Sequence, residues 1–260
     1  MASKPQYPIY IISKGRAFNP LTAKNLELSG LDYFIAVESQ EKNDYVKALG
    51  EKRVLVLPFS NLGLGSYPAR NYCWEHAKNN GFKYHWLLDD NILHWRKWVN
   101  RFRQKWDDIG SALAYVESFV NKNNIDLGGF EEYNFCPRPR KQPFKINCHV
   151  YSAILIKNDL PYRWRLKYNE DVDLCLQVLH NGGSTASCDY YMINKVATSE
   201  KMKGGNQDEL YKGNDPKKKL LKAKMLEAVW PQYAKTVIRF GRYHHFVDWK
   251  IFKKGLQNKK

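Results

Sequence analysis

The sequence predicts an α/β protein whose first half is a doubly wound nucleotide-binding unit, and three observations carry that expectation. Apolar runs and helix-like segments alternate from Pro8 to Asn91 with short connections, as parallel strands joined by crossover helices do. One of those runs, Tyr84-His85-Trp86-Leu87-Leu88, stops abruptly at Asp89-Asp90-Asn91, which sets two carboxylates and an amide at the C-terminal edge of a buried strand. That edge is where open α/β sheets bind ligands, and hard oxygen donors there suit Mg²⁺ or Mn²⁺ completed by substrate phosphates. The third observation is a loop with Gly63 and Gly65 just ahead of the helix that leads into the acidic strand. Asp-Asp-Asn is equally good turn chemistry, so the stretch alone leaves both readings open.

Taken in order, Pro8 to Ser13 reads as the first strand, and Lys14-Gly15-Arg16 as a turn that places two cations at its end. That turn is either a nucleotide-entry loop or a basic surface turn. Leu21 to Leu28 reads as a helix, Asp32 to Glu38 as the second strand and Gln40 to Leu49 as the second helix. Glu38 and Gln40 either bond a base or ribose or cap the helix they precede. Val54 to Phe59 makes a third strand. In the loop that follows, Gly65 lets backbone N–H groups approach a phosphate, Pro68 marks the first helical turn and Arg70 adds a permanent cation. No Gly-Lys-Ser/Thr follows, so it is not a P-loop. Tyr72 to Asn80 completes that helix and Gly81 stops it.

Trp95 to Trp106 interleaves Arg96, Lys97, Arg101, Arg103 and Lys105 with Trp95, Trp98, Phe102 and Trp106. Single-strand and flipped-base binders use such a segment, and so does an amphipathic segment that packs its tryptophans inward. Asp107 to Asn123 is helical, with Ile109, Leu113, Val116 and Val120 on one face. Ile125 to Phe130 and Ile146 to Ile156 are expected strands, separated by the loop Cys136 to Pro143, whose Arg138, Arg140 and Lys141 suit phosphate contacts. Asn169 can cap a helix with Glu170, Asp171 and Asp173 in its first turn. Dipole compensation explains acids there, yet Glu170 and Asp173 share a face while Asp171 points elsewhere, so one acid can be structural and another a general base. Ser187 to Ile193 is a further strand. Thr198 to Asn214 reads as a mobile loop, with Gly204-Gly205-Asn206 as a lid or simply disordered, and Asp215 to Ala234 as a lysine-rich helix. Arg239 to Lys250 again mixes cations with rings.

The 260 residues fit one large domain, or one domain with a C-terminal extension, better than two full domains. Lys+Arg 42 against Asp+Glu 26 gives +16, and 14% of residues are aromatic, a pairing expected of a protein that meets a polyanion, nucleic acid first. The cysteines, Cys73, Cys136, Cys148, Cys175 and Cys188, form no C-x-x-C pair, so neither a disulfide framework nor a zinc ribbon is expected. No signal-like apolar segment and no membrane-length run occurs, which predicts a soluble cytoplasmic protein with no membrane partner.

Four motifs in this order, Tyr10-Ile11-Ile12-Ser13-Lys14-Gly15-Arg16, Gly65-Ser66-Tyr67-Pro68-Ala69-Arg70-Asn71, Trp86-Leu87-Leu88-Asp89-Asp90-Asn91-Ile92 and Asn169-Glu170-Asp171-Val172-Asp173-Leu174, resemble those of GT-A nucleotide-sugar glycosyltransferases. More narrowly, the chain resembles the TET-associated glycosyltransferases of phages, which are associated with hypermodified DNA bases. The resemblance spans roughly residues 8–195. It implies a GT-A-like fold with a mixed, mostly parallel sheet flanked by helices, a catalytic domain over 1–197, and a basic C-terminal extension over 198–260 packed on it. It implies transfer of a sugar from a UDP-sugar donor to the hydroxymethyl oxygen of a 5-hydroxymethylpyrimidine in DNA, 5-hydroxymethylcytosine first, inside a phage-infected bacterial host and with no obligate protein partner. Donor binding would fall to Ser13, Lys14, Arg16, Glu38, Gln40, Gly65, Arg70, Asp89 and Asp90. Mn²⁺ or Mg²⁺ would be held by Asp89 and Asn91, with His244 or His245 as the late histidine. Asp171 matches the base of inverting relatives, with Asp173 and Glu170 as substitutes, while Arg96, Lys97, Trp98, Arg101, Arg103, Arg138, Arg140 and Lys141 would meet DNA. Two other classes fit the sequence: a GT-A transferase acting on a protein or glycan, and a non-catalytic nucleic-acid-binding module.

Overall fold

The computed structural model describes residues 4–196, 203–205 and 216–252. Its first half runs β1 (Ile9–Ile12), α1 (Leu21–Leu28), β2 (Phe34–Val37), α2 (Lys42–Leu49), β3 (Val54–Val56), α3 (Tyr67–Asn79) and β4 (Tyr84–Asp89). A hairpin of β5 (Ile92–Val99) and β6 (Phe102–Trp106) follows, then α4 (Ile109–Asn123), β7 (Leu127–Glu132), β8 (Phe144–Ile146), β9 (Ala153–Lys157), α5 (Glu170–His180) and β10 (Thr185–Lys195). The last described elements are α6 (Pro216–Val229) and the pair β11 (Ala234–Arg239) and β12 (Arg242–Val247).

The main sheet has the order β3-β2-β1-β4-β9-β7-β10-β5-β6, with β8 paired to β10. Strands β1 to β4 are mutually parallel, β9 runs against its neighbours β4 and β7, and β10 is parallel to β7. The sheet is therefore mixed and mostly parallel, as expected. Alternating side chains feed two cores. Ile9, Ile11, Trp86 and Leu88 pack with Leu26 of α1, Tyr45 of α2 and Val116 of α4. Tyr10 and Leu87 pack on the other face with Trp74 of α3 and Cys175 of α5. Helices on both faces explain why β4 is a continuous apolar run instead of an alternating one. The chain lays down β2 and β3 on one side of β1 and β4 on the other, so a crevice opens beyond the C-terminal ends of β1 and β4.

Several elements differ from the sequence expectation for local reasons. The run Ile146 to Ile156 is not one strand: it breaks between β8 and β9, where Asn147 and Ser152 take left-handed φ of 51° and 62°. Thr185 holds the broken segment, its hydroxyl donating to the Cys148 carbonyl at 2.6 Å. Strand β10 extends beyond Ser187–Ile193 at both ends and shifts register against β7 between Cys188 and Met192, while its other neighbour changes from β8 to β5. Asn169 sits at the start of α5 but does not cap it; its amide donates to the Lys222 carbonyl at 2.8 Å instead. The C-terminal elements pack on α5, with Leu226, Trp230, Ala234 and Val247 against Val172 and Leu176. The loop and lid expected over 198–214 lie outside the described residues except for 203–205. All five cysteines are free, and among the described residues no helix is long and apolar enough to cross a membrane.

Strand β7 tolerates no side chain at Gly129, because a Cβ there would sit 2.4 Å from the Ala153 carbonyl oxygen of the adjoining strand. Backbone on the receiving side cannot turn away as a side chain can. Gly129→Ala is expected to lower stability by at least about 2 kcal/mol, read as a lower urea midpoint at unchanged m-value.

Candidate active site

A cleft of about 380 Å³ opens at the crevice, within the range of small-ligand sites. The segment after β1 brings Ser13, Lys14 and Arg16 to it, the end of β4 brings Asp89, Asp90 and Asn91, and the N-termini of α3 and α5 bring Arg70, Glu170 and Asp171. The break between β8 and β9 adds His149 and Ser152, the end of β10 adds Lys195, and β12 adds His245. No side chain caps α3 at Ser66, and Gly63 and Gly65 before it take left-handed φ. The exposed N–H groups of that helix start, with its dipole, form an anion-binding edge.

Each carboxylate at the end of β4 meets a cation delivered by a distant element. Asp89 Oδ1 accepts from Arg70 Nη2 at 2.9 Å, and its Oδ2 lies 3.6 Å from Lys195 Nζ. Burial would raise its pKa, but Lys195 and Arg70 outweigh burial and hold it below the ordinary value. Asp90 pairs with Arg16 and accepts from the Ser13 hydroxyl at 2.6 Å. There burial wins over Arg16, and the Asp90 pKa is raised. Arg16 also donates to the carbonyls of Lys203 and Gly204, at 3.1 and 3.0 Å, closing residues 203–205 against the first loop. Lys14 bonds Glu38 and Asn61, at 3.1 and 3.0 Å. Asn91 donates its side-chain N–H to the Val196 carbonyl at 2.8 Å, which fixes the end of β10 and with it Lys195.

The neighbouring acids of α5 are pushed in opposite directions. Glu170 accepts from Ser66 Oγ at 2.8 Å and lies 3.4 Å from Arg70 Nε, yet burial raises its pKa, with the nearby Asp171 charge adding to that. Asp171 is half-buried, but His149 Nε2 at 3.0 Å from its Oδ2 more than cancels the desolvation and holds it well below the usual carboxylate range. The His149 ring stacks on Tyr151, centroids 4.7 Å apart, and on Trp249 at 5.8 Å with the planes 4° apart. Burial pushes the nearby His245 down to about 4. Two carboxyl groups with separated proton affinities are the usual signature of divided acid and base roles.

Ser13, Lys14, Arg16, Glu38, Gly65, Arg70, Asp89, Asp90, Asn91, Glu170 and Asp171 are thus gathered around one cleft. Others are not. Asp173 is fully buried away from it: its carboxylate accepts from Arg165 at 2.9 and 3.0 Å, Trp230 Nε1 at 2.7 Å and Gln177 Nε2 at 2.9 Å, so it is structural. His244 is exposed on β12, and strand alternation gives the cleft to His245 instead. Gln40 lies outside the cleft, donating to Glu38 at 2.6 Å. Trp98 is 9% exposed and cannot serve as a stacking platform. The cations around it are spent on the protein's own rings, Lys97 over Trp106 at 3.9 Å, and Arg96 and Arg103 over Tyr133 at 4.7 and 3.8 Å. Arg101 forms the exposed turn of that hairpin, Arg138 and Lys141 are exposed, and Arg140 pairs with Asp189 at 2.9 Å. His149, Ser152, Lys195 and Lys222 had no motif of their own. The strand break that turns His149 inward depends on Thr185.

No group of three His, Cys, Asp or Glu side chains among the described residues is placed to hold a metal ion. Magnesium needs only one or two carboxylates when substrate phosphates supply the rest. Asp89, which lines the cleft with Oδ2 only loosely engaged by Lys195, fits that lesser requirement.

Comparison with known proteins gives a family match and distant structural likenesses. The model of the family described as TET-Associated Glycosyltransferase matches residues 7–205. A putative nucleotide-diphospho-sugar transferase from Desulfovibrio desulfuricans G20 is 11% identical, over 74% of this chain and 82% of its own, with a TM-score of 0.41. No curated protein matches the chain.

The geometry separates the two aspartates of α5 experimentally. Asp173→Ala leaves Arg165 and Trp230 without their acceptor and is expected to cost about 2–4 kcal/mol, seen as a lower melting temperature. Asp171→Asn, at the cleft wall, is expected to leave the melting temperature within a few degrees.

Proposed function

The chain belongs to the TET-Associated Glycosyltransferase family, and from that premise we propose that it transfers a sugar from a UDP-sugar to the hydroxymethyl oxygen of a 5-hydroxymethylpyrimidine in DNA, 5-hydroxymethylcytosine first. That the chain is a glycosyltransferase follows from the family; the donor and the acceptor are our reading. The observation that carries the reading is the cleft at the β1–β4 switch point, lined both by the cations Arg70 and Lys195 and by the Asp171–His149 pair.

The diphosphate lies against the uncapped start of α3, near Arg70 and Lys195, which neutralise the charge that gathers on the leaving group. A divalent ion, Mn²⁺ or Mg²⁺, held by Asp89 and the donor phosphates would supply further Lewis-acid stabilisation of that diphosphate. Lys14 and Glu38 flank the nucleoside end. The acceptor oxygen attacks the anomeric carbon as the bond from that carbon to the diphosphate oxygen breaks, and its proton passes to the Asp171–His149 pair. A carboxylate held as low as Asp171 is a weak proton acceptor by itself. The step therefore uses the pair with a neutral His149 imidazole, which takes up the proton and holds it against the Asp171 carboxylate, while stacking on Tyr151 and Trp249 keeps the pair in one orientation. Glu170, pushed the other way and bonded to Ser66 and Arg70, keeps the start of α3 joined to the start of α5. Support for DNA as the acceptor comes from the charge of +16 and from exposed Arg101, Arg138 and Lys141.

The test is incubation with Mn²⁺, UDP-glucose or UDP-N-acetylglucosamine, and duplex DNA carrying 5-hydroxymethylcytosine or 5-hydroxymethyluracil, followed by mass spectrometry of the nucleosides. A hexose or N-acetylhexosamine mass is expected on the modified base, with the rate falling about 10²–10⁴-fold in Asp171→Asn. Sugar transfer to protein or glycan acceptors with none to modified DNA would overturn the acceptor assignment.

A further inference from the structure

The β11–β12 pair forms a two-stranded sheet of its own, and its register sorts its side chains. Residues directly opposed in an antiparallel pair share a face. Thr236 is opposed to His245 and Ile238 to Tyr243, so the face that sends His245 into the cleft continues outward through Ile238, 69% exposed, and Tyr243. The opposite face carries Lys235, Arg239, Arg242 and His244 together with Val237 and Phe246, the Arg239 guanidinium lying over the Phe246 ring at 5.0 Å. No Asp or Glu occurs between Ala234 and Val247.

The turn at the tip is Phe240-Gly241, with left-handed φ of 51° and 68°. Two-residue turns of this hand favour Asn or Gly at the first position, and a bulky ring there is strained. Phe240 is 97% exposed, so no packing among the described residues repays that strain. The comparable β5–β6 turn uses Asn100, the residue the geometry favours. The tip stands about 13 Å beyond His245, four residues at ~3.3 Å each.

We propose that this ribbon is a wedge for duplex DNA. Phe240 enters the base stack beside the target, the cationic face lies along the phosphates, and the target pyrimidine turns out along Ile238 and Tyr243 towards His245 and the cleft. The proposal rests on the DNA-acceptor reading, and it meets a requirement which that reading creates. A cleft of about 380 Å³ admits a nucleotide and not a duplex, so a base within a duplex must leave the stack to reach Asp171. Apolar side chains inserted between base steps are a recurrent means of opening a stack, and the adjoining arginines fit a polyanion on either side of the gap. The ribbon lies outside the residues that match the family, 7–205, so the acceptor-side device can vary while the donor site stays.

The experiment uses Phe240→Asn in the full chain, since Asn accepts left-handed φ and keeps the turn. A duplex carrying 2-aminopurine beside a 5-hydroxymethylcytosine is titrated without any sugar donor. Wild-type protein is expected to raise the fluorescence as the stack opens, and the variant to lose at least fivefold of that rise while binding the duplex within twofold by anisotropy. With donor added, the variant is expected to lose at least tenfold in rate on duplex and to stay within twofold on a single-stranded acceptor. An equal fluorescence rise and an equal duplex rate in the variant would overturn the wedge. So would Phe240-dependent binding to phosphatidylserine vesicles with no fluorescence rise on DNA. Failure of the transfer reading looks different: no sugar is added by either protein, while the donor-free rise and its dependence on Phe240 persist.

Discussion

Two adjacent carboxylates at the end of a buried strand are the constraint on which the rest of the structure depends. Asp89 and Asp90 cannot both stay ionised in a low-dielectric interior unless cations come to them. Arg16 arrives from the loop after β1, Arg70 from the start of α3 and Lys195 from the end of β10. The elements that make the cleft are therefore those whose charges must converge for the sheet edge to be stable. Asn91 extends the same logic by fixing Val196, which holds the strand carrying Lys195 against its own end.

A cation that compensates a carboxylate in the free protein is also one that a diphosphate can recruit. Arg70 and Lys195 line the cleft beside Asp89, and the uncapped start of α3 supplies N–H groups near them. In the same cleft, ring stacking locks His149, which holds Asp171 at 3.0 Å, and Ser66 holds Glu170. The site is preorganised before a substrate enters, which is the condition for electrostatic stabilisation of a transition state.

What the sequence made legible was local. The strand and helix alternation, the acidic end of β4, the glycine loop before α3 and the acids opening α5 are all written in neighbouring residues, and each was found where expected. Asp173 was misjudged because helix spacing describes faces but not which face meets Arg165 and Trp230. His149 was passed over because its inward turn follows from left-handed Asn147 and Ser152 and a bond to Thr185, more than thirty residues away. His244 and His245 could not be told apart because strand parity cannot be set without a known register. The two segments that mix cations with rings also read alike and came apart in the fold: Trp95 and Trp98 are buried and their cations are spent on neighbouring rings, whereas Phe240 is almost wholly exposed. Composition does not encode burial.

The central claim is that the compensated carboxylates at the β1–β4 crevice form a diphosphate site. Calorimetric titration of uridine, UDP and UDP-glucose into wild-type protein and Lys195→Met tests it most directly, with and without Mg²⁺. The account predicts that UDP and UDP-glucose bind at least tenfold more tightly than uridine and that Lys195→Met loses about ten- to a hundredfold of that affinity, the worth of one charge-assisted hydrogen bond. Equal affinity for uridine and UDP, or UDP binding untouched by Lys195→Met, would contradict it.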